Sequence, residues 1–185
     1  MSKDFLVEIG TEELPPTSLL KLSNSFKEQI KQGINAEELN FTSIESFATP
    51  RRLAVLVSGL DEMSAEKELN VWGPPKKVAF TDDGTPSKAA EAFARKNGID
   101  IEKLKIENDG KADKLIFRSI IAGVEATDLL PTIVKKALDN LPIPKRMRWG
   151  TSRIEFVRPA QWIVMMFGSK TIDCEILGLK AGNIT

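Results

Sequence analysis

Residues 42–58 read TSIESFATPRRLAVLVS. Every second residue from Ile44 to Ala48 falls on one face of an extended chain, because successive side chains of a strand point to opposite sides. Pro50 interrupts this pattern and Leu53 restarts it. Proline cannot donate to a strand ladder. The simplest arrangement is therefore an antiparallel pair of strands that meet near Pro50.

Towards the N-terminus, the pattern predicts a strand followed by a helix. Residues 5–9, FLVEI, are typical of a short buried strand. Pro16 suits the first position of a helix, and Gly33 is expected to end it. Apolar side chains recur at helical spacing between these two residues. These apolar positions are Leu19, Leu22, Phe26 and Ile30.

Towards the C-terminus, strands and helices are mixed. Thr85 is the expected N-cap of a helix that opens with Pro86, and Asn108-Asp109-Gly110 is a predicted turn. The predicted elements are a strand at 69–72, a helix at 87–97, a hairpin of 104–107 and 115–121, a helix at 127–140, and strands at 155–167 and 172–179. Most of the sequence shows the two-residue period of strands, and strands do not alternate regularly with helices as in a βαβ fold. We expect an α+β fold, mainly antiparallel sheet with about three to four flanking helices.

These elements divide the chain into three predicted segments. Residues 1–62 form an N-terminal α+β segment, and residues 63–145 form a middle α+β segment with the hairpin and two helices. Residues 146–185 carry a basic stretch and the closing strands. Packing back on residues 1–62 is one arrangement open to this last segment. Because the sequence stops directly after a predicted strand, we expect it to be a fragment of a longer chain.

Composition excludes several classes of function. The 185 residues include no histidine and a single cysteine, which removes the usual general base and argues against a structural zinc site. Cys174 is expected to be a buried thiol. The 26 basic and 26 acidic residues balance, so any contact with RNA must come from a local patch. No apolar run approaches the roughly 20 residues that span a bilayer, and no signal peptide is recognisable. A cytoplasmic protein is expected.

Positive charge is concentrated between Lys145 and Arg158. This stretch holds five cations and one carboxylate, Glu155, which leaves a local excess of four positive charges. Met147 and Trp149 alternate with the cations. Such a pattern suits a phosphate clamp with a stacking aromatic ring. It equally suits a contact between protein subunits, where Trp, Met and Arg are enriched.

For the other charged residues, contacts within the chain are an alternative to binding RNA. Arg51 and Arg52 lie where the strands break, and internal pairing with Glu8 or Glu45 and contact with RNA are equally open. A buried Glu8 would need one of these arginines as its partner. Glu12 and Glu13 are expected to be helix-start charges and not metal ligands. The candidates for RNA or partner binding are Arg51, Arg52, Lys88, Lys145, Arg146, Arg148, Trp149, Arg153 and Arg158. No catalytic or metal-binding residue is predicted.

Five motifs follow one another along the chain. They are FLVEIGTEELPP at 5–16, ATPRRLA at 48–54, PSKAAEAF at 86–93, LPIPKRMRWG at 141–150 and FVRP at 156–159. Taken together and in this order, they resemble the β-subunit family of bacterial heterotetrameric glycyl-tRNA synthetases.

The resemblance implies a class II ligase of two α and two β chains, which attaches glycine to tRNA(Gly) with consumption of ATP. The family's α chain holds the adenylate site and uses ATP and Mg²⁺, so no cofactor is expected in this stretch. The stretch would be a noncatalytic N-terminal region that binds tRNA and supports assembly. Its partners would be the α chain, the rest of β and tRNA(Gly), without a membrane.

Two alternatives belong to other classes of function. The first is a pure protein–protein assembly scaffold without RNA contact, which the zero net charge favours. The second is a free-standing enzyme that uses the carboxylates of Glu8, Glu12 or Glu13. The lack of histidine and of a convergent set of ligands counts against this second alternative.

Overall fold

The computed structural model describes residues 2–81, 83–108, 110–151 and 153–185, with the side chain of Lys67 outside the description. The chain forms two compact units. The first unit consists of Met1–Ala65 and Gly123–Thr185, and the second consists of Glu66–Ala122. The second unit is therefore an insertion in the sequence of the first.

A five-stranded sheet organises the first unit. Neighbouring strands are antiparallel and follow the order β10-β9-β1-β3-β2. Pro50 and Arg51 form the turn between the two strands predicted from residues 42–58, which confirms that pair. The five strands are β1 (Ser2–Thr11), β2 (Ser43–Thr49), β3 (Arg52–Asp61), β9 (Ala160–Phe167) and β10 (Lys170–Thr171).

Two helices, α1 (Pro16–Ala36) and α4 (Ala126–Asp139), pack together on one face of this sheet. α1 begins at the predicted proline but does not end at Gly33. A Cβ atom on Gly33 would overlap Ile133 of α4, so this glycine permits close approach of two helices. The predicted helix at 127–140 is confirmed as α4. It packs with α1 in the first unit, whereas the sequence-based division grouped it with the middle segment.

The main hydrophobic core lies between the sheet and these helices. Phe5, Val7 and Ile9 of β1 are fully buried, while Leu6 and Glu8 lie on the opposite face. Burial of a large apolar side chain contributes roughly 1.5–3 kcal/mol. The helices contribute Leu22, Phe26, Ile30 and Ile34 from α1 and Leu130, Ile133, Val134, Ala137 and Leu138 from α4. No helix within the described residues is long and apolar enough to cross a membrane.

The C-terminal strands are shorter than predicted. The strand expected at 155–167 is interrupted at Pro159, which has no N–H to donate to a ladder. The strand expected at 172–179 is a tight hairpin that turns at Leu177 and Gly178, where the backbone φ angles are 51° and 76°. The short strands of this region are β7 (Met147–Arg148), β8 (Glu155–Phe156), β11 (Glu175–Ile176) and β12 (Leu179–Lys180).

The single cysteine is half-buried. The Sγ atom of Cys174 lies 3.5 Å from the Sδ atom of Met165. Burial raises the pKa of the Cys174 thiol. The side chain therefore remains a protonated thiol at neutral pH. It packs against the main core but is only partly buried, where a buried thiol was expected.

The second unit contains a three-stranded antiparallel sheet in the order β4-β6-β5. The predicted hairpin is confirmed as β5 and β6, although Asp109 of its expected turn lies outside the described residues. Ala79, Ala90 and Leu115 form a small core under the helices. The elements are β4 (Lys67–Pro75), α2 (Lys76–Ala79), α3 (Lys88–Lys96), a 3₁₀ turn (Ile101–Lys103), β5 (Lys105–Asn108) and β6 (Asp113–Ile121).

The N-cap expected for α3 is wrong by two positions. The Oγ atom of Ser87 accepts from the backbone N–H of Ala89, and Ser87 directly precedes the helix. A capping side chain must reach the free N–H groups of the first turn. Thr85 lies too early for this, and its hydroxyl instead bonds to that of Thr81.

The two connections between the units are paired with each other. Ser64 N–H donates to the Val124 carbonyl at 2.9 Å, and Ala126 N–H donates to the Glu62 carbonyl at 2.8 Å. A Cβ atom on Gly123 would overlap the backbone of Ser64. Because both connecting segments are hydrogen-bonded within the first unit, the insertion begins and ends at one place in that unit.

This pairing leads to a prediction about excision. Replacing residues 66–122 with two glycines is expected to leave the first unit folded, because its core contains no residue of the insertion. Circular dichroism during thermal unfolding would show one cooperative transition within a few degrees of the parent transition. Loss of cooperative unfolding in the excised chain would contradict the division into two units.

Candidate nucleic-acid interface

The predicted basic stretch folds as a short hairpin in the first unit. We call residues 145–158 the basic hairpin. Its strands β7 and β8 are antiparallel, with Met147 opposite Phe156. Phe156 and Val157 are buried, and Trp149 is half-buried against the main core. These apolar side chains anchor the basic hairpin, so its cations are held on an ordered support.

Arg148 is paired with the carboxylate of the basic hairpin. Its Nε atom donates to Glu155 Oε1 at 2.6 Å, directly across the two strands. The side chain of Arg148 is 65% exposed, so water screens the pair and its contribution to stability is small. The pairing does, however, cancel one positive charge of the basic hairpin.

Arg146 has neutral partners. Its NH2 group donates to the carbonyls of Asp139 at 2.6 Å and of Leu138 at 3.4 Å, both in the last turn of α4. A cation at this end of a helix interacts favourably with unpaired carbonyls and with the helix dipole. Carbonyl oxygens carry no full charge, so Arg146 keeps its positive charge while it fixes the start of the basic hairpin to α4.

This contact distinguishes Arg146 from its neighbour. Arg146→Ala is expected to lower the free energy of unfolding by about 1–2 kcal/mol, because the last turn of α4 loses its cationic partner. Lys145→Ala is the matched control, since Lys145 is exposed and its removal should change that free energy by less than about 0.5 kcal/mol. Urea denaturation measures both values, and equal losses would refute the capping role of Arg146.

Arg158 joins the basic hairpin to the loop that precedes α1. Its Nε atom donates to the Glu13 carbonyl at 2.9 Å, and its NH1 group donates to the Val157 carbonyl at 3.1 Å. The same NH1 group lies 3.8 Å from the Sδ atom of Met147. All three partners are uncharged, so the positive charge of Arg158 also remains uncancelled by these contacts.

Arg51 reaches the same loop from the β2–β3 turn. Its NH2 group lies 3.9 Å from Glu13 Oε1, so Arg51 and Arg158 both contact Glu13 although they are far apart in the sequence. The Glu12 carboxylate accepts from Gln161 Nε2 at 2.8 Å. Glu12 and Glu13 precede the start of α1, as expected, and lie before its N-cap Pro15, while the first turn of α1 itself has no acidic residue.

Arg52 is the partner of Glu8, as predicted for a buried Glu8. Its NH1 group lies 3.8 Å from Glu8 Oε2, and the Glu8 side chain is 16% exposed. Trp162 Nε1 donates to Glu8 Oε1 at 2.9 Å, and the guanidinium of Arg52 lies 5.5 Å from the centroid of the Trp162 ring. The sequence carries no signal for Trp162, because its position depends on the pairing of β9 with β1.

The remaining candidates are exposed. Lys145 and Arg153 of the basic hairpin form no ion pair with any residue that the structure describes. Lys88 is exposed at the first position of α3 and belongs to the second unit. Across the described part of the basic hairpin, only Arg148 is paired with a carboxylate. The cationic excess predicted there is therefore largely retained on the surface.

These contacts show which charged groups of the region have partners among the described residues. Among the described residues, no group of three or more acidic, cysteine or histidine side chains could hold a metal ion. Glu8 and Glu12 accept hydrogen bonds from Trp162 and Gln161, and Glu8 is also paired with Arg52. In the basic hairpin, the guanidinium and ammonium groups without a carboxylate partner among the described residues are of the kind that binds phosphate or carboxylate.

Known proteins resemble the whole chain. The family model described as glycyl-tRNA synthetase beta subunit matches residues 5–185. The glycine–tRNA ligase beta subunit of Ectopseudomonas mendocina is 51% identical over 184 residues, which cover 100% of this chain. Those of Hahella chejuensis and Pseudomonas entomophila are 54% and 48% identical and cover 99% and 98% of it. In each comparison the chain spans 26% of the relative's length.

Proposed function

The chain belongs to the glycyl-tRNA synthetase beta subunit family, and on that premise we propose that it is a noncatalytic, tRNA-contacting region of a glycine–tRNA ligase. The complete enzyme, built from α and β subunits as an α₂β₂ assembly in the cytoplasm, would attach glycine to tRNA(Gly). We place the ATP and Mg²⁺ chemistry on the α subunit. The chain spans 26% of its relatives' length, and the part in the reaction that we propose for it is to position the tRNA.

One observation carries this proposal. The basic hairpin holds five cations on an anchored support, and within the described residues one of them is paired with a carboxylate. Contacts to the phosphate backbone fix the register of a nucleic acid without reading its sequence. A compact group of uncancelled cations on a chain with no net charge overall suits that task.

The internal contacts of Arg146 and Arg158 are compatible with this task. A guanidinium group has five N–H donors, and the partners found here use only part of that set. Each arginine can therefore hold the basic hairpin in place and still present donors to a phosphate. Lys145 and Arg153 are exposed. They would add positive charge, and their attraction for phosphate would depend less on where each side chain lies.

A pure assembly scaffold is the second candidate. The observation that favours it is the charge balance around the β2–β3 turn, where Glu13 faces Arg51 and Glu8 faces Arg52. Such balanced pairs offer little attraction to a polyanion. Arg, Trp and Met are also enriched in protein interfaces, and all three residue types occur in the basic hairpin.

Crosslinking separates the two candidates. The complete α and β enzyme with bound tRNA(Gly) would be irradiated, digested and analysed by mass spectrometry for RNA-linked peptides. We expect linked peptides from residues 141–160. Crosslinks elsewhere in the enzyme without any in residues 141–160 would favour the scaffold.

A further inference from the structure

The five-stranded sheet has a second face, which α1 and α4 do not cover. These helices pack on the side of Phe5, Val7 and Ile9. On the opposite side, three outward-facing residues of β1 are each paired with one residue of β3 and one of β9. Leu6, for example, lies between Leu56 of β3 and Met166 of β9. We call this side the open face, and its large apolar side chains are Leu6, Phe47, Leu56, Trp162, Val164 and Met166.

Most of the open face lies outside the hydrophobic cores. Of its six large apolar side chains, Val164 is buried, and the other five are part of neither core cluster of the described residues. Phe47 is 51% exposed, and Leu6, Leu56 and Met166 are partly exposed. An antiparallel sheet with one solvated face normally carries polar residues there. A contiguous exposed apolar patch instead marks a docking surface.

The charges of the open face argue against RNA as its occupant. Its partly buried carboxylate, Glu8, and its cation, Arg52, contact each other, and Trp162 contacts both. The exposed Glu45 adds a negative charge beside Leu56. The face therefore offers a polyanion little attraction, and a protein surface with its own apolar side chains fits it better.

The adjoining edge of the sheet is also open. β2 is the last strand in the sheet order, and its seven residues include neither lysine nor proline. Natural proteins usually protect an exposed edge strand with such residues or cover it with another element. Phe47 lies on this edge strand, which carries one exposed charge, Glu45, so one docked element can cover both the edge and the apolar patch.

We propose that the open face is covered, in the full-length subunit, by another part of the same polypeptide. The chain spans 26% of its relatives' length, so about three quarters of such a subunit lies outside it. Apolar surfaces of this kind are typical of permanent contacts, and a domain of the same chain is always present at high effective concentration. This inference rests on family membership and does not depend on RNA binding.

Side-chain footprinting with hydroxyl radicals tests the proposal. Labelling of Phe47 and Met166 would be compared between this 185-residue chain and the full-length subunit, each without the α subunit. We expect labelling of both to fall by at least about fivefold in the full-length subunit, because docked side chains lose contact with water. Met147, which is 37% exposed in the basic hairpin, is the control and should label equally in both.

A substitution gives an independent readout. Phe47→Glu is expected to lower the Tm of the full-length subunit by several degrees, while it shifts that of the 185-residue chain by no more than about 2 °C. Leu20→Glu is the control, because Leu20 is 74% exposed on α1 and lies away from the open face. Equal labelling of Phe47 in both chains would overturn the proposal. So would protection that rises with the concentration of the 185-residue chain.

Discussion

Phe26→Ala is expected to lower the free energy of unfolding of the first unit by about 3–5 kcal/mol. Phe26 is fully buried on α1, within the core shared by the sheet and α4. The substitution removes apolar contacts and leaves a cavity that surrounding backbone cannot fill. Since a domain is stable by only about 5–15 kcal/mol, the loss should appear as a much lower midpoint in urea, followed by circular dichroism.

Leu20→Ala is the matched control for this effect. Leu20 lies on the same helix but is 74% exposed, so its removal should change the free energy of unfolding by less than about 0.5 kcal/mol. Similar losses for the two variants would show that α1 does not bury the face described above.

The sequence predicts the local elements well because their signals are local. Alternation in residues 42–58 predicted β2 and β3, and the spacing of Leu22, Phe26 and Ile30 predicted the buried face of α1. Both patterns follow from the geometry of a single strand or helix. They require no knowledge of which distant residue lies opposite.

The assembly of these elements was less predictable. Gly33 gives the same sequence signal whether it ends a helix or permits close contact with Ile133. The insertion of the second unit is equally hidden, because α4 joins the first unit through contacts with α1. Pairings between residues far apart in the chain depend on topology, which periodicity does not encode.

The candidate site was also predictable only in part. The excess of cations between Lys145 and Arg158 can be counted from the sequence, but their partners cannot. The structure shows that Arg146 caps α4 and that Arg158 meets Arg51 at Glu13. Consequently, alanine at Arg146 or Arg158 would change both charge and local structure. Lys145 and Arg153 are the clearer probes of RNA contact.

The double variant Lys145→Glu, Arg153→Glu is therefore expected to weaken binding of tRNA(Gly) to the complete enzyme by on the order of 100-fold at physiological salt. Each change removes a cation and introduces repulsion from the phosphate backbone. Both side chains are exposed without an ion pair to the described residues, so folding should be unaffected. Fluorescence anisotropy with labelled tRNA measures the affinity.

A control with the same change in net charge tests whether position matters. Lys21→Glu, Lys31→Glu places two carboxylates on exposed positions of α1, outside the basic hairpin. This variant should weaken tRNA binding by no more than about threefold, because separated surface charges are screened by salt. Equal losses in both double variants would indicate an effect of net charge alone.

The salt dependence of tRNA affinity tests the role of the basic hairpin most directly. Binding of tRNA(Gly) to the complete enzyme would be measured from low to physiological salt for the parent and for Lys145→Ala, Arg153→Ala. If both cations neutralise phosphates, the slope of log affinity against log salt becomes shallower by about 1 for each, hence by about 2 in total. Identical slopes for parent and variant would contradict the proposed RNA contact.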